Sequence, residues 1–287
     1  MRLGRLRYCS ITDRPKSLVR KSLALDYALL RLSTPSTSTR IRMVVSKYRA
    51  LAAIAAGREA TLTVGATKMK VRDISGLGTF QSCVTDVHDE VVCTNLISAN
   101  APIIVDVGAN IGQFCAAVKL FYPRATVLSF EPDPDSYAQL VANTNRLGSV
   151  RTFNVGLGST RGKMKFFRHS LSVMSSFIMA RGEQYSSGLE LPIERLDDVL
   201  TDVEWIDLLK IDVEGFEYQV LAGAESVLQR TGAVIVEVRL GSQSEQSNLD
   251  VIDILRRASP SSHLVTTGRV LEGASGPMCC DVIIKLR

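Results

Sequence analysis

From Ile103 onwards the chain alternates short apolar runs with amphipathic stretches. The apolar runs predict strands at Ile103–Val107, Thr126–Phe130, Arg151–Val155, Leu208–Val213, Ala233–Val238, Leu264–Thr267 and Asp281–Leu286. Helices are expected between them at Gly112–Phe121, Ser136–Leu147, Phe216–Gln229 and Leu249–Ala258. Strands alternating with helices mark a parallel sheet covered on both faces. Upstream, Arg14–Leu32 sets Leu18, Leu25, Leu29 and Leu32 at helical spacing, and Ser33–Thr39 is a polar break. Arg40–Ala56 is a second helix candidate ending at Gly57. Ala60–Arg72 alternates on both sides of Gly65, which suggests a β-hairpin, and Phe80–Ser98 predicts a turn followed by a helix. Between Val155 and Asp207 the pattern breaks into a polar, glycine-rich stretch, read as a hairpin plus a long loop.

The first core strand carries Asp106 near its end, and Gly108 and Gly112 lead into the next helix. Such glycines let a ligand sit against main-chain N–H groups at a helix N-terminus. Strand-to-helix turns of this kind also occur with no ligand. The second strand ends in Glu131, 23 residues after Gly108, near the roughly 20-residue offset at which an acid reaches ribose hydroxyls. The competing role is a helix N-cap, which Asp133 or Asp135 could fill instead. A pyrophosphate reader needs a second glycine where Asn110 stands, so the spacing leans towards a methyl donor over NAD.

Asp106-Val-Gly-Ala-Asn-Ile-Gly112, Phe130-Glu-Pro132, Leu196-Asp-Asp-Val-Leu200 and Leu209-Lys-Ile-Asp-Val-Glu-Gly215 together resemble the FkbM family of S-adenosylmethionine-dependent methyltransferases. The likeness runs from about Ala101 to Arg239. It implies a class I methyltransferase (Rossmann-like) α/β fold, with seven strands in order 3-2-1-4-5-7-6 and the last antiparallel. It also implies O-methylation, often of a sugar hydroxyl on a glycan, glycolipid or natural product. On this reading residues 1–59 form a basic helical extension and 60–100 a hairpin and helix leading into the core. Residues 101–287 form the S-adenosylmethionine-binding domain. The candidate cofactor residues are Asp106, Gly108, Asn110, Gly112, Glu131, Asn154 and Asp212.

Methyl transfer to an alcohol needs alignment and a group that takes the hydroxyl proton. Asp212 and Glu214 end the fourth strand and Glu237 the fifth, where open α/β sheets bind ligands. These three are the candidate catalytic acids. Glu214 also suits the N-terminus of the following helix. Together the three could hold Mg²⁺, the less favoured reading, and no metal ligand is assigned. Lys210, placed one residue off the Asp212 face, is expected to pair with an acid or pack its stem and is assigned no catalysis. His88 reads as a satisfied surface histidine. Relatives often carry a histidine where Arg239 stands, which weakens a histidine base and would suit an anionic acceptor. Met174-Ser-Ser-Phe177 is a candidate cover for the acceptor site, with a merely exposed insertion standing level.

Charge alters the picture at one end only. The 287 residues carry a net +5, while residues 1–49 hold twelve Lys+Arg against two Asp. A basic amphipathic segment over residues 14–56 could lie on an anionic membrane, with nucleic acid the less favoured partner. The bland alternative packs both helices on the catalytic domain and leaves a solvated basic face. No run reaches the roughly 18 apolar residues that span a bilayer, and the first ten residues lack a secretory signal's apolar stretch. All six cysteines, Cys9, Cys83, Cys93, Cys115, Cys279 and Cys280, are read as reduced. The expectation is a cytoplasmic protein, peripheral at the inner membrane face if the helices dock there. Rival readings are an NAD-linked oxidoreductase, a non-catalytic scaffold on the same fold, and a nucleic-acid methyltransferase. The last lacks the Asn/Asp-Pro-Pro-aromatic motif of base N-methylation.

Overall fold

The computed structural model describes residues 15–287 apart from 66, 72–73, 170–174, 179–184, 240–247 and 274–275. Arg14, Cys9 and Met174, named above, lie outside the described residues, as does the side chain of Arg239. The chain opens with α1 (Pro15–Leu30), α2 (Thr37–Ala55) and a hairpin, β1 (Ala60–Val64) and β2 (Thr67–Val71). α3 (Ile74–Asp86) runs into a π-helical turn at Val87–Val92. The core follows as β3 (Ile103–Val107), α4 (Gln113–Phe121), β4 (Thr126–Phe130), α5 (Pro134–Thr144) and β5 (Val150–Phe153). Next come β6 (Gly156–Leu157), β7 (Gly162–His169), β8 (Tyr185–Glu194) and α6 (Leu196–Val199). The chain closes with β9 (Ile206–Ile211), α7 (Glu217–Ala222), α8 (Glu225–Leu228), β10 (Thr231–Arg239), α9 (Asn248–Ala258), β11 (His263–Gly273) and β12 (Gly276–Lys285).

Seven strands form one sheet in the order β5-β4-β3-β9-β10-β12-β11. Numbered within the sheet, that is 3-2-1-4-5-7-6. Neighbours are parallel except at β12, which runs antiparallel to both β10 and β11. Period-2 alternation then divides the core. Val105, Val107, Leu209 and Ile211 face the cluster under α7, α8 and α9. Ile104, Leu208, Ala233 and Ile283 face the cluster shared with α3, α4, the hairpin and the N-terminal helices. Leu29, Leu32, Met43 and Ala50 bury themselves in that second cluster. The extension is therefore joined to the sheet by a common core.

Four expectations need correction. The helix before β3 starts at Ile74, not after Phe80. Gly76 and Gly78 disguise it, but Leu77, Phe80, Val84, Val87 and Val91 make a buried stripe at spacings of three and four. α2 starts at Thr37, inside the expected polar break, because Ser36 caps it by accepting from the Thr39 N–H at 3.4 Å. The helix expected at Phe216–Gln229 is two, broken at Gly223, where a Cβ would lie 2.0 Å from the Gly158 carbonyl oxygen. Finally, the stretch after Val155 forms a three-stranded sheet, β6-β8-β7, in which β7 and β8 are the expected hairpin.

Candidate active site

The turn after β3 is built differently from what its glycines suggested. Gly108 has φ +83°, and a Cβ there would stand 1.8 Å from the Asp212 carbonyl oxygen. Its missing side chain lets β3 and the end of β9 meet, a packing role. Gly112 has φ +87°, and a Cβ would meet Leu140 of α5 at 2.9 Å. The N–H groups of Gly108 and Ala109 both donate to the Phe130 carbonyl, at 3.1 and 2.9 Å. That of Asn110 donates to Glu131 Oε2 at 2.8 Å, and that of Gly112 to the Ala109 carbonyl at 2.8 Å. These four donors are already spent within the protein.

What it does present is acceptors. Both oxygens of Asp106, fully buried, and Oδ1 of Asn110 have no hydrogen-bond partner in the protein. Asn110 holds φ +46°, a left-handed conformation that asparagine tolerates better than most residues. Buried acceptors without donors are costly, and a ligand rich in donors, such as an amino group and ribose hydroxyls, would relieve them. S-adenosylmethionine offers both, so the residues fit it. Burial pushes Asp106 up to about 6, against the opposing pull of Lys210.

Glu131 sits at the next strand end. Its second oxygen, Oε1, accepts from the Asp133 N–H at 2.9 Å. The helix N-cap belongs to Asp133, which accepts from the Asp135 N–H at 2.8 Å, so Glu131 is not the cap. Burial raises Glu131 to about 8 despite the two backbone donors. Asn154 donates to the carbonyls of Glu131 and Pro132, at 2.9 and 3.0 Å, and so holds this strand end in place. Arg168 of β7 grips Asp133 with two bonds of 2.6 Å and reaches Asp135 at 3.0 Å. Sequence reading overlooked Arg168, because only the β7–β8 sheet brings it to this corner.

Asp212, Glu214 and Glu237 converge, with one oxygen of each within 4.8 Å of the others. Glu214 has φ +56° followed by Gly215 at φ +101°, so the backbone bends sharply to aim it. The helix-terminus role considered for Glu214 falls to Glu217, whose Oε1 accepts from the Gly215 and Val213 N–H groups at 2.9 and 3.3 Å. Burial, then the charges of Asp212 and Glu214, hold Glu237 well above the usual carboxylate range. Lys210 pairs with acids, as one of its two expected roles has it, but on the Asp212 face instead of one residue off it. It stands two residues before Asp212 on the same face, 3.1 Å from Asp212 Oδ2 and 3.7 Å from Asp106 Oδ1. Burial works against its ammonium, but the two carboxylates prevail and keep its pKa above normal. The i, i+2 spacing was the signal for this contact. Ser176 donates to the Val213 carbonyl at 3.1 Å, and Phe177 packs against Phe216, so this part of the insertion reaches the same strand end. His88 is buried, not superficial: its ring contacts Asp89 at 2.7 Å and Ser33 at 3.1 Å. Of the cysteines, the described Cys83, Cys93, Cys115, Cys279 and Cys280 form no disulfide.

A seven-stranded sheet in this order, with acids at the ends of its first, second and fourth strands, defines the class I methyltransferase fold. Residues 106–259 match the Methyltransferase FkbM domain. The chain belongs to that family. Among curated relatives it is 33% identical to methyltransferase sdnD of Sordaria araneosa, over 43% of this chain and 61% of that protein. Identity to the hexuronic acid methyltransferase AglP of Haloferax volcanii is 31%, over 58% of this chain and 66% of the other. It is 27% identical to the 2-O-methyltransferase NoeI of Sinorhizobium fredii, over 53% of this chain and 68% of the other. The match thus spans less than two thirds of the first two relatives' length.

Proposed function

We propose that the chain transfers a methyl group from S-adenosylmethionine to a hydroxyl of a sugar, glycolipid or related natural product. The observation that carries this reading is the meeting of three carboxylates beside a corner of buried acceptors that no protein hydrogen bond satisfies. S-adenosylmethionine supplies a methyl on a cationic sulfur. Asp106 and Asn110 would accept from its donor groups, and Glu131 from its ribose hydroxyls. Asp212, fixed by Lys210, would serve the methionine end or the acceptor hydroxyl.

Glu237 is the base, with Glu214 binding the acceptor. A carboxylate with raised proton affinity is a stronger base, suited to taking a hydroxyl proton near neutrality. Lys210 already balances part of the cluster's negative charge, so the arrangement does not call for Mg²⁺ to be stable. Support for a sugar hydroxyl comes from relatives named for a hexuronic acid and for 2-O-methylation. The test is calorimetric titration with S-adenosylmethionine, S-adenosylhomocysteine and NAD, followed by turnover on a panel of glycans and glycolipids. Binding of the first two alone is expected. Silence from all three would overturn the reading and favour a scaffold.

A further inference from the structure

Eleven large apolar side chains are exposed among the described residues, and six of these fall between positions 23 and 48. Leu23, Tyr27 and Leu30 lie at i, i+4 and i+7 on α1, and Ile41, Val45 and Tyr48 repeat that spacing on α2. Both helices have already buried another face against α3 and the hairpin, through Leu29, Leu32, Met43 and Ala50. Each helix is thus apolar on two sides, one of which stays exposed among the described residues. The expected solvated basic face is in fact apolar with basic edges.

The two stripes are neighbours. Near the connecting turn Arg40 donates to the Leu30 carbonyl at 2.9 Å. Farther along, the Tyr48 hydroxyl donates to Asp26 at 2.6 Å. Exposed Arg31, Arg42 and Arg49 each directly follow a stripe residue. Residues 15–55 hold eight Lys+Arg and a single acid, Asp26. That acid is buried against Lys47 at 2.7 Å, so it does not offset the surface charge.

An apolar stripe edged by arginines matches a lipid surface carrying negative charge. A second copy would set these arginines against one another, and nucleic acid would leave the aliphatic side chains uncovered. We propose that the outer face of α1 and α2 docks on an anionic lipid bilayer, lying in its interface without crossing it. Among the described residues no helix is long and apolar enough to cross a membrane. This inference is independent of the methyl-transfer reading.

The experiment is co-sedimentation of the full chain with vesicles of phosphatidylcholine alone or mixed with phosphatidylglycerol. Selective binding to the mixed vesicles is expected, weakening as salt screens the arginines. The triple variant Leu23→Ser, Ile41→Ser, Val45→Ser should keep its melting temperature, because the three positions are exposed, and lose roughly a hundredfold in partitioning. Should it unfold instead, Arg31→Glu, Arg42→Glu, Arg49→Glu tests the same face and should abolish the preference for anionic vesicles. No sedimentation with either vesicle, or equal binding by wild type and variants, would overturn the proposal. So would a wild-type dimer that the serine variant dissociates, which would assign the face to self-association.

Discussion

Glu131 makes the ligand-free protein sensitive to alkali, and the effect can be worked out in advance. Its carboxyl is buried at the end of β4, and burial raises it from 4.5 to about 8 on folding. Between those pH values the native chain holds a proton that the unfolded chain has released. The sign follows: this contribution to stability is fully present below pH 4.5 and is lost as pH rises through 8. A difference of that size corresponds to about 5 kcal/mol across the window, or roughly 10 °C in melting temperature for a chain of this length. The assay compares denaturant melts of wild type and Glu131→Gln from pH 5 to 9. The amide in the variant cannot titrate, so every other group cancels in the difference between the two curves. Wild type should lose about 4 kcal/mol relative to the variant over that range, the remainder having gone below pH 5. Parallel curves would refute the reasoning. Ribose hydroxyls donating to the ionised carboxylate would also make wild-type binding of S-adenosylhomocysteine tighten from pH 6 to 8 and release a proton. That pH dependence should vanish in Glu131→Gln. Its persistence in the variant would remove Glu131 from the ribose role.

Gly108→Ala should destabilise the chain by about 3–5 kcal/mol, combining left-handed strain with displacement of the Asp212 backbone; a melt within 1 kcal/mol of wild type, roughly, would sink the packing role. Glu237→Gln should leave S-adenosylhomocysteine affinity intact and cut turnover by roughly 100-fold or more. Asp212→Asn removes a like charge beside Glu237, so any residual activity should begin at lower pH than in wild type. Wild-type turnover in Glu237→Gln would exclude it as the base. Asp26→Asn strands Lys47, which is buried between Asp26 and the Ser22 carbonyl, and should cost about 3–5 kcal/mol in a chemical melt. An unchanged melt would show that α1 and α2 contribute little to the common core.

The order of strands and helices from Ile103 was legible in the sequence because the cause is local. A strand buried on both faces must be apolar throughout, and a covering helix must repeat its apolar residues every three or four positions. Asp106, Glu131, Asp212 and Glu237 were legible for the same reason, since a carboxylate ending such a run needs a site or a partner. Tertiary structure decided what those residues touch. Gly108 reads in sequence as a ligand cradle, and only the fold adds that Asp212, 104 positions later, stands where a side chain would go. Pairing of Lys210 with an acid was legible, but only the pairing of β3 with β9 put it between Asp106 and Asp212. Arg168 reached Asp133 only through the β7–β8 sheet, whose polar strands show no periodic signal. The basic helices likewise displayed their charge in sequence. Only packing revealed which apolar side chains were used up inside and which remained outside, because a helix with two apolar faces does not declare which one the core will take.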